Sequence, residues 1–260
     1  MNYGLYLSAS GVFTNLHRQD VHANNLANVS TVGFKRSMAS MMHRDAEVIE
    51  DRLDPSVSKE LLNQLGGGVL LQPSRFDTSE GPLRETHNDF DLAIQGDGYF
   101  TIQVFTADGA AQRLSRDGRF TLADDGRLVT INGGHGLLDE SGRPIVIDRS
   151  AGKTSIDGAG RIRQNGSEIG RIELVRPRDP QALKLLGHGQ YAVPDDDVAR
   201  HTLAADGQLN QGFLEDSNVE PIRELLQLIA ATKAISGNGN MIRYHDLMMD
   251  RAVNVLGRVA

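Results

Sequence analysis

Eight histidines and a scatter of carboxylates are the residues best suited to chemistry in this chain. His17, His22, His43, His87, His135, His188, His201 and His245 form no His-x-x-x-His pair and no His-Glu-x-x-His run. Those spacings would set two imidazoles on one helix face for a metal. Asp-Gly recurs at 97–98, 108–109, 117–118, 125–126, 157–158 and 206–207. Asp124-Asp125-Gly126 lacks the alternating ligands and closing Glu of a calcium loop, and Asp195-Asp196-Asp197 reads as a solvated loop. Asp89 and Asp91 lie near Phe90, Tyr99 and Phe100, a set suited to acid–base work on a sugar; alternation along a strand explains it equally well. Gly96-Asp97-Gly98 opens no helix, so it is not a dinucleotide fingerprint, and there is no Gly-x-Ser-x-Gly elbow. With no cysteine, thiolate chemistry and disulfides are excluded. The expectation is a non-enzyme with no catalytic residues, no cofactor and no metal.

The 260 residues suffice for one sizeable core or two modest ones. A net charge of −7 argues against nucleic acid as a partner, although residues 1–44 carry Arg18, Lys35, Arg36 and Arg44 against Asp20 alone. No charged n-region followed by an apolar run marks a cleaved leader. No apolar run is long enough to span a bilayer, so no integral membrane segment is expected.

The elements that must position these residues fall into three zones, an α+β reading with long terminal helices flanking a mainly antiparallel β-rich middle. In residues 1–35, Leu5, Ala9, Val12, Leu16, Gln19, Ala23 and Leu26 recur at spacings of four and three, a heptad seam that suits a partner helix. Asn28 to Gly33 end that helix, with Gly33 permitting a left-handed turn. Residues 36–75 read as a linker or extension. Within it Met38, Met41, Met42, Val48 and Ile49 suggest a short helical piece, and Gly66-Gly67-Gly68 a hinge or loop.

Residues 76–216 alternate short β-type runs with Asp-Gly turns. The runs are Tyr99–Val104, Arg119–Leu122, Arg127–Ile131 and Ile145–Ile147. In residues 217–260, Ser217 and Glu220 suggest a capping box and Pro221 a first turn. Val219, Ile222, Leu226 and Ile229 form one stripe; Ile242, Met249 and Leu256 form a second, displaced by one residue. Gly237 and Gly239 lie between them, so the segment is either one helix with a weak middle or two helices with a joint. The 1–35 and 217–260 helices are expected to pair in coiled-coil fashion, making one discontinuous helical domain.

Four segments in order carry a resemblance. Ala23-Asn24-Asn25-Leu26-Ala27-Asn28-Val29-Ser30-Thr31-Val32-Gly33-Phe34-Lys35 resembles the signature that ends the N-terminal helix in the flagellar rod and hook family. Asn24, Asn25, Leu26, Ala27, Asn28, Gly33, Phe34 and Lys35 are its most distinctive positions. Asp91 to Phe100 is similar to the start of that family's β-rich domain, Leu114 to Phe120 to its next stretch, and Gly212 to Val219 to its entry into the C-terminal helix. The resemblance implies a structural subunit, distal or proximal in the basal-body rod, that polymerises into a hollow shaft transmitting torque and conducting exported subunits. It implies as partners copies of itself, other rod and hook subunits, the flagellar type III export apparatus and surrounding ring proteins. It also implies a periplasmic rod location reached without a cleaved signal. Leu5, Ala9, Val12, Leu16, Ala23, Leu26, Val219, Ile222, Leu226, Ile229, Ile242, Met249 and Leu256 are then the candidate subunit interface. Within the family a hook or adaptor subunit is the alternative; outside it, a secreted β-rich carbohydrate-active or binding module.

Overall fold

The structure, a computed structural model, describes residues 3–45, 66–106, 109–187 and 189–254. Val48, Ile49, Asp108, His188 and Leu256, all singled out above, lie outside the described residues. The chain forms two compact units. Unit 1 takes residues 1–27, 37–75 and 220–260; unit 2 takes residues 28–36 and 76–219.

Unit 1 is built on two helices, α1 (Tyr3–Ala27) and α2 (Pro221–Asn254). In α1 the side chains of Ser10, Thr14 and Asn15 donate back to carbonyls three or four residues earlier, which satisfies them without leaving the helix. Past Ala27 the Thr31 N–H bonds the Asn28 carbonyl, and Gly33 takes φ +67°, the left-handed conformation glycine allows cheaply. Pro221 opens α2, where its missing N–H costs nothing. Ser217 lies too far back to cap it; its hydroxyl accepts instead from the Val219 N–H at 3.3 Å. The helix runs unbroken through Gly237 and Gly239, a rod of about 50 Å at 1.5 Å per residue.

Strands β1 (Ser37–Arg44) and β2 (Gly68–Phe76) pair as a two-stranded ribbon. The Met38–Met42 segment is therefore strand, not the helical piece its methionines suggested. Those methionines stand at helical spacing, i, i+3 and i+4, but Ser37, Ala39 and Ser40 add no helical stripe, and pairing with β2 overrides the local pattern. Gly66 and Gly67 are loop, as one of the two readings expected, and Gly68 opens β2. A Cβ on Gly67 would lie 2.1 Å from the Asp45 carbonyl oxygen, so only glycine fits where the ribbon closes.

Unit 2 is β-rich. Its strands are β3 (Leu83–Glu85), β4 (Leu92–Gln95), β5 (Tyr99–Thr106), β6 (Gly109–Ser115), β7 (Phe120–Leu122), β8 (Leu128–Thr130), β9 (Gly136–Leu137), β10 (Thr154–Ile156), β11 (Arg161–Gln164), β12 (Ser167–Arg171), β13 (Leu174–Pro177), β14 (Lys184–Gly187), β15 (Gln190–Ala192), β16 (Thr202–Ala204), β17 (Gln208–Gln211) and β18 (Phe213–Glu215). The main sheet runs β14-β15-β6-β5-β9-β8-β7, with β13 joining at β5 and β16 at β13; β10-β11-β12 form a second sheet. Every pairing with a recorded register is antiparallel. The last two strands of unit 2 return to its first two: β17 pairs with β4 and β18 with β3.

Leu92, Ile94, Phe100, Ile102, Phe120, Leu128, Leu137 and Ile162 fill the main core, and Tyr99, Leu114, Val175 and Tyr191 a second. Ile145–Ile147 makes only isolated bridges rather than a strand. Ile145 and Ile147 are buried and Val146 is exposed, so the alternation seen in the sequence is real while the ladder is not. The Asp-Gly carboxylates serve the turns: Asp125 accepts from the backbone and guanidinium of Arg127, and Asp157 does the same for Arg161. Asp91 is buried and accepts from Asn88 Nδ2 at 3.1 Å, while exposed Asp89 faces Lys153 at 3.8 Å.

Candidate assembly surface

α1 and α2 pack antiparallel. A Cβ on Gly4 would fall 2.6 Å from the His245 ring, and one on Gly11 2.7 Å from Asn238 Nδ2. Further along, Arg18 donates to Gln227 Oε1 at 3.3 Å, and His22 Nδ1 lies 2.6 Å from Glu224 Oε2. The inner seam of α1 thus runs through Gly4, Gly11, Arg18, His22 and Asn25, at the spacing of a heptad repeat. It is small and polar. A second face of α1 holds the ribbon: Ser74 meets His17 at 3.2 Å, and Arg44 donates to the Tyr6 hydroxyl.

The apolar seam read from the sequence follows the inner seam by one residue, about 100° around the helix. It therefore flanks the paired face, part covered and part exposed. Leu5, Ala9, Val12, Gln19 and Leu26 are half-buried, Ala23 is exposed, and Leu16 is 40% exposed beside Phe13 at 66%. On α2 the α1-facing stripe is Glu224, Gln227, Ala231, Asn238 and His245, with Ile242 half-buried beside it. Ile222, Leu226, Ile229 and Met249 lie outside that stripe, with Ile222 76% and Leu226 61% exposed. Val219 does not join them: it precedes the helix and is buried in unit 2.

The motif residues divide between the units. Asn24 and Ala27 are exposed, the latter closing α1, while Asn25 is fully buried. Asn25 Oδ1 accepts the Ser37 N–H at 2.9 Å, and Nδ2 donates to the Ser37 carbonyl at 2.8 Å and to Glu224 at 3.1 Å. In unit 2, Asn28 Oδ1 accepts the Thr31 hydroxyl. Gly33 lies so close to Arg116 that a Cβ would sit 2.3 Å from its carbonyl oxygen, and Phe34 is buried.

Lys35 ends the motif in a buried charge node. Its Nζ meets Glu215 Oε1 at 2.6 Å and donates to the Ser79 carbonyl at 2.8 Å. Arg116 Nη1 meets Glu215 Oε2 at 2.9 Å, and its guanidinium also donates to the carbonyls of Ile94 and Gly96. The Gly81 N–H donates to Glu215, and Arg116 lies over the Tyr99 ring at 5.4 Å. Burial pulls the Lys35 ammonium below its ordinary pKa, against the pull of Glu215 and with the nearby Arg116 adding to the depression. Four sequence segments converge here, which explains why they read as motifs. Sequence reasoning missed Arg116 and Glu215 as partners of Lys35, and His22 and Glu224 as partners of each other. The available signal was charge inside otherwise apolar or glycine-rich runs, as in Gly212-Phe213-Leu214-Glu215.

Comparison with known proteins follows the same segments. Residues 5–35 match the family described as "Flagella basal body rod protein", residues 93–164 the "Flagellar hook protein FlgE/F/G D1 domain", and residues 210–255 the "Flagellar basal body rod FlgEFG protein C-terminal". The flagellar basal-body rod protein FlgF of Caulobacter vibrioides is 33% identical over 273 aligned residues, covering 100% of both chains. The chain belongs to the flagellar basal-body rod protein family. FlgF of Rhizobium meliloti is 33% identical over 99% of both chains, and FlgG of Bacillus subtilis 31% identical over 96% of this chain and 98% of its own. The rod protein is thus a structural subunit of the flagellar basal body, and its helix–β–helix order is the architecture those family segments trace. No helix among the described residues is long and apolar enough to cross a membrane.

Proposed function

We propose that the outward faces of α1 and α2 are the surfaces through which this rod subunit joins copies of itself and other axial subunits into a hollow helical shaft. The observation that carries this reading is the displacement of the apolar stripe. Phe13, Leu16, Ile222, Leu226 and Ile229 face away from the pairing that holds the helices together. Each such side chain, once buried, contributes about 1.5–3 kcal/mol. Neighbours that cover the stripe repeatedly without closing generate a helical filament.

The shaft would stand in the periplasm, transmit torque and conduct exported subunits, itself delivered by the flagellar type III apparatus. Other rod and hook subunits are its axial neighbours, with ring proteins around it. Nothing in the reading requires catalysis, a cofactor or a metal.

The test is a strain whose only copy carries Leu16→Asp. Shafts and swimming should be lost while the full-length variant keeps the melting transition of unit 2 seen in the parent. Normal shafts with the variant incorporated would remove the seam from the interface.

A further inference from the structure

The inner seam between α1 and α2 joins small and polar side chains to buried Ala231. Its contacts are Gly4 on His245, Gly11 on Asn238, Arg18 on Gln227, and a closed polar node at one end. In that node Glu224 is 2% exposed and Asn25 is fully buried. Asn25 is fixed by two hydrogen bonds to the Ser37 backbone, so its amide can turn only one N–H toward Glu224. His22, one turn earlier on α1, supplies the shorter contact to the same carboxylate oxygen.

A buried carboxylate costs free energy wherever its partners are missing. Apolar heptad positions are interchangeable under a slip of seven residues, whereas a polar position satisfied in one alignment is not. We infer that His22, Asn25 and Glu224 are the register determinant of the terminal helix pair: they select the one alignment in which α2 docks on α1 and on the first residue of β1. They are positioning residues, and their role is independent of what covers the outward stripe. Arg18 is the arginine on this seam, and it already has Gln227 as its partner. A slip of one heptad that offered Arg18 to Glu224 would forfeit both the Asn25 and the His22 contacts.

The absence of native cysteine makes the register directly readable. Full-length protein in assembled shafts would carry either Gly11→Cys with Asn238→Cys, the observed alignment, or Gly11→Cys with Ala231→Cys, one heptad away. In the parent background oxidation should link only the first pair. Combining His22→Leu with Glu224→Leu should keep or raise helix content, read by circular dichroism, yet let the second pair link at a yield within about tenfold of the first, the ratio left by roughly 1.4 kcal/mol of residual preference. Glu224→Gln, which keeps an acceptor for both partners, should retain exclusive linking of the first pair. The inference is overturned if the leucine variant keeps its helix content and still links only the first pair, or if the parent links the second pair as readily as the first.

Discussion

Lys35, Arg116 and Glu215 place two cations on one carboxylate inside unit 2. The asymmetry makes a prediction about which member matters most. Glu215→Ala strands both cations and the Gly81 N–H, and should cost about 3–5 kcal/mol. Lys35→Met leaves the Arg116 pair intact and removes an ammonium that burial already disfavours, so its cost should be clearly smaller. Urea unfolding of the two variants measures this, and equal losses would contradict the geometry. Turn carboxylates set the acid limit. The Arg127 backbone N–H, then its guanidinium, hold Asp125 below the ordinary carboxylate value. At Asp157 burial pushes upward, but the backbone and side chain of Arg161 outweigh it; at Asp77 burial is outweighed by Ser79 and Arg36. Because these groups hold their protons less tightly when folded, the unfolded chain takes up more protons as pH falls below about 4. Stability present above that value should be lost as pH drops through the folded values. A thermal-melt series against pH should show this decline, flattened in the Asp125→Asn, Asp157→Asn double variant.

At the scale of elements, α2 carries two glycines that nothing among the described residues requires. A Cβ at Gly237 or Gly239 would meet no atom within 4 Å. Gly237→Ala and Gly239→Ala should each stabilise the helix by about 1 kcal/mol, measured as helix content on heating; a loss instead would mean that the backbone there departs from a regular helix. Both terminal helices were legible in the sequence because their apolar residues recur at helical spacing. That stripe did not reveal which face pairs within the chain, since the paired face is glycine, asparagine and histidine, residues without a hydrophobic signature. The Asp-Gly turns announced the β unit. The β1–β2 ribbon stayed hidden because its exposed Met38, Met41 and Met42 stand at helical rather than alternating spacing, and the single bridge at Val146 shows burial alternation surviving without a ladder.

For the whole molecule, the division into two units places Gly33, Phe34 and Lys35 with the β-rich unit rather than with the helix they follow. A fragment of residues 28–219 should therefore fold cooperatively, whereas one of residues 37–219 should melt at a markedly lower temperature, having lost Phe34 from the interior and Lys35 from Glu215. Calorimetry of the pair would decide, and matching melts would mean that unit 2 does not depend on the motif. The central claim is that the terminal helices expose apolar stripes that are covered only by other subunits. Sedimentation velocity of the full chain and of the 28–219 fragment over rising concentration tests it most directly. The account predicts that the full chain forms progressively larger species while the fragment sediments as a monomer throughout. A full chain that stays monomeric and fully helical at the highest concentrations would contradict it.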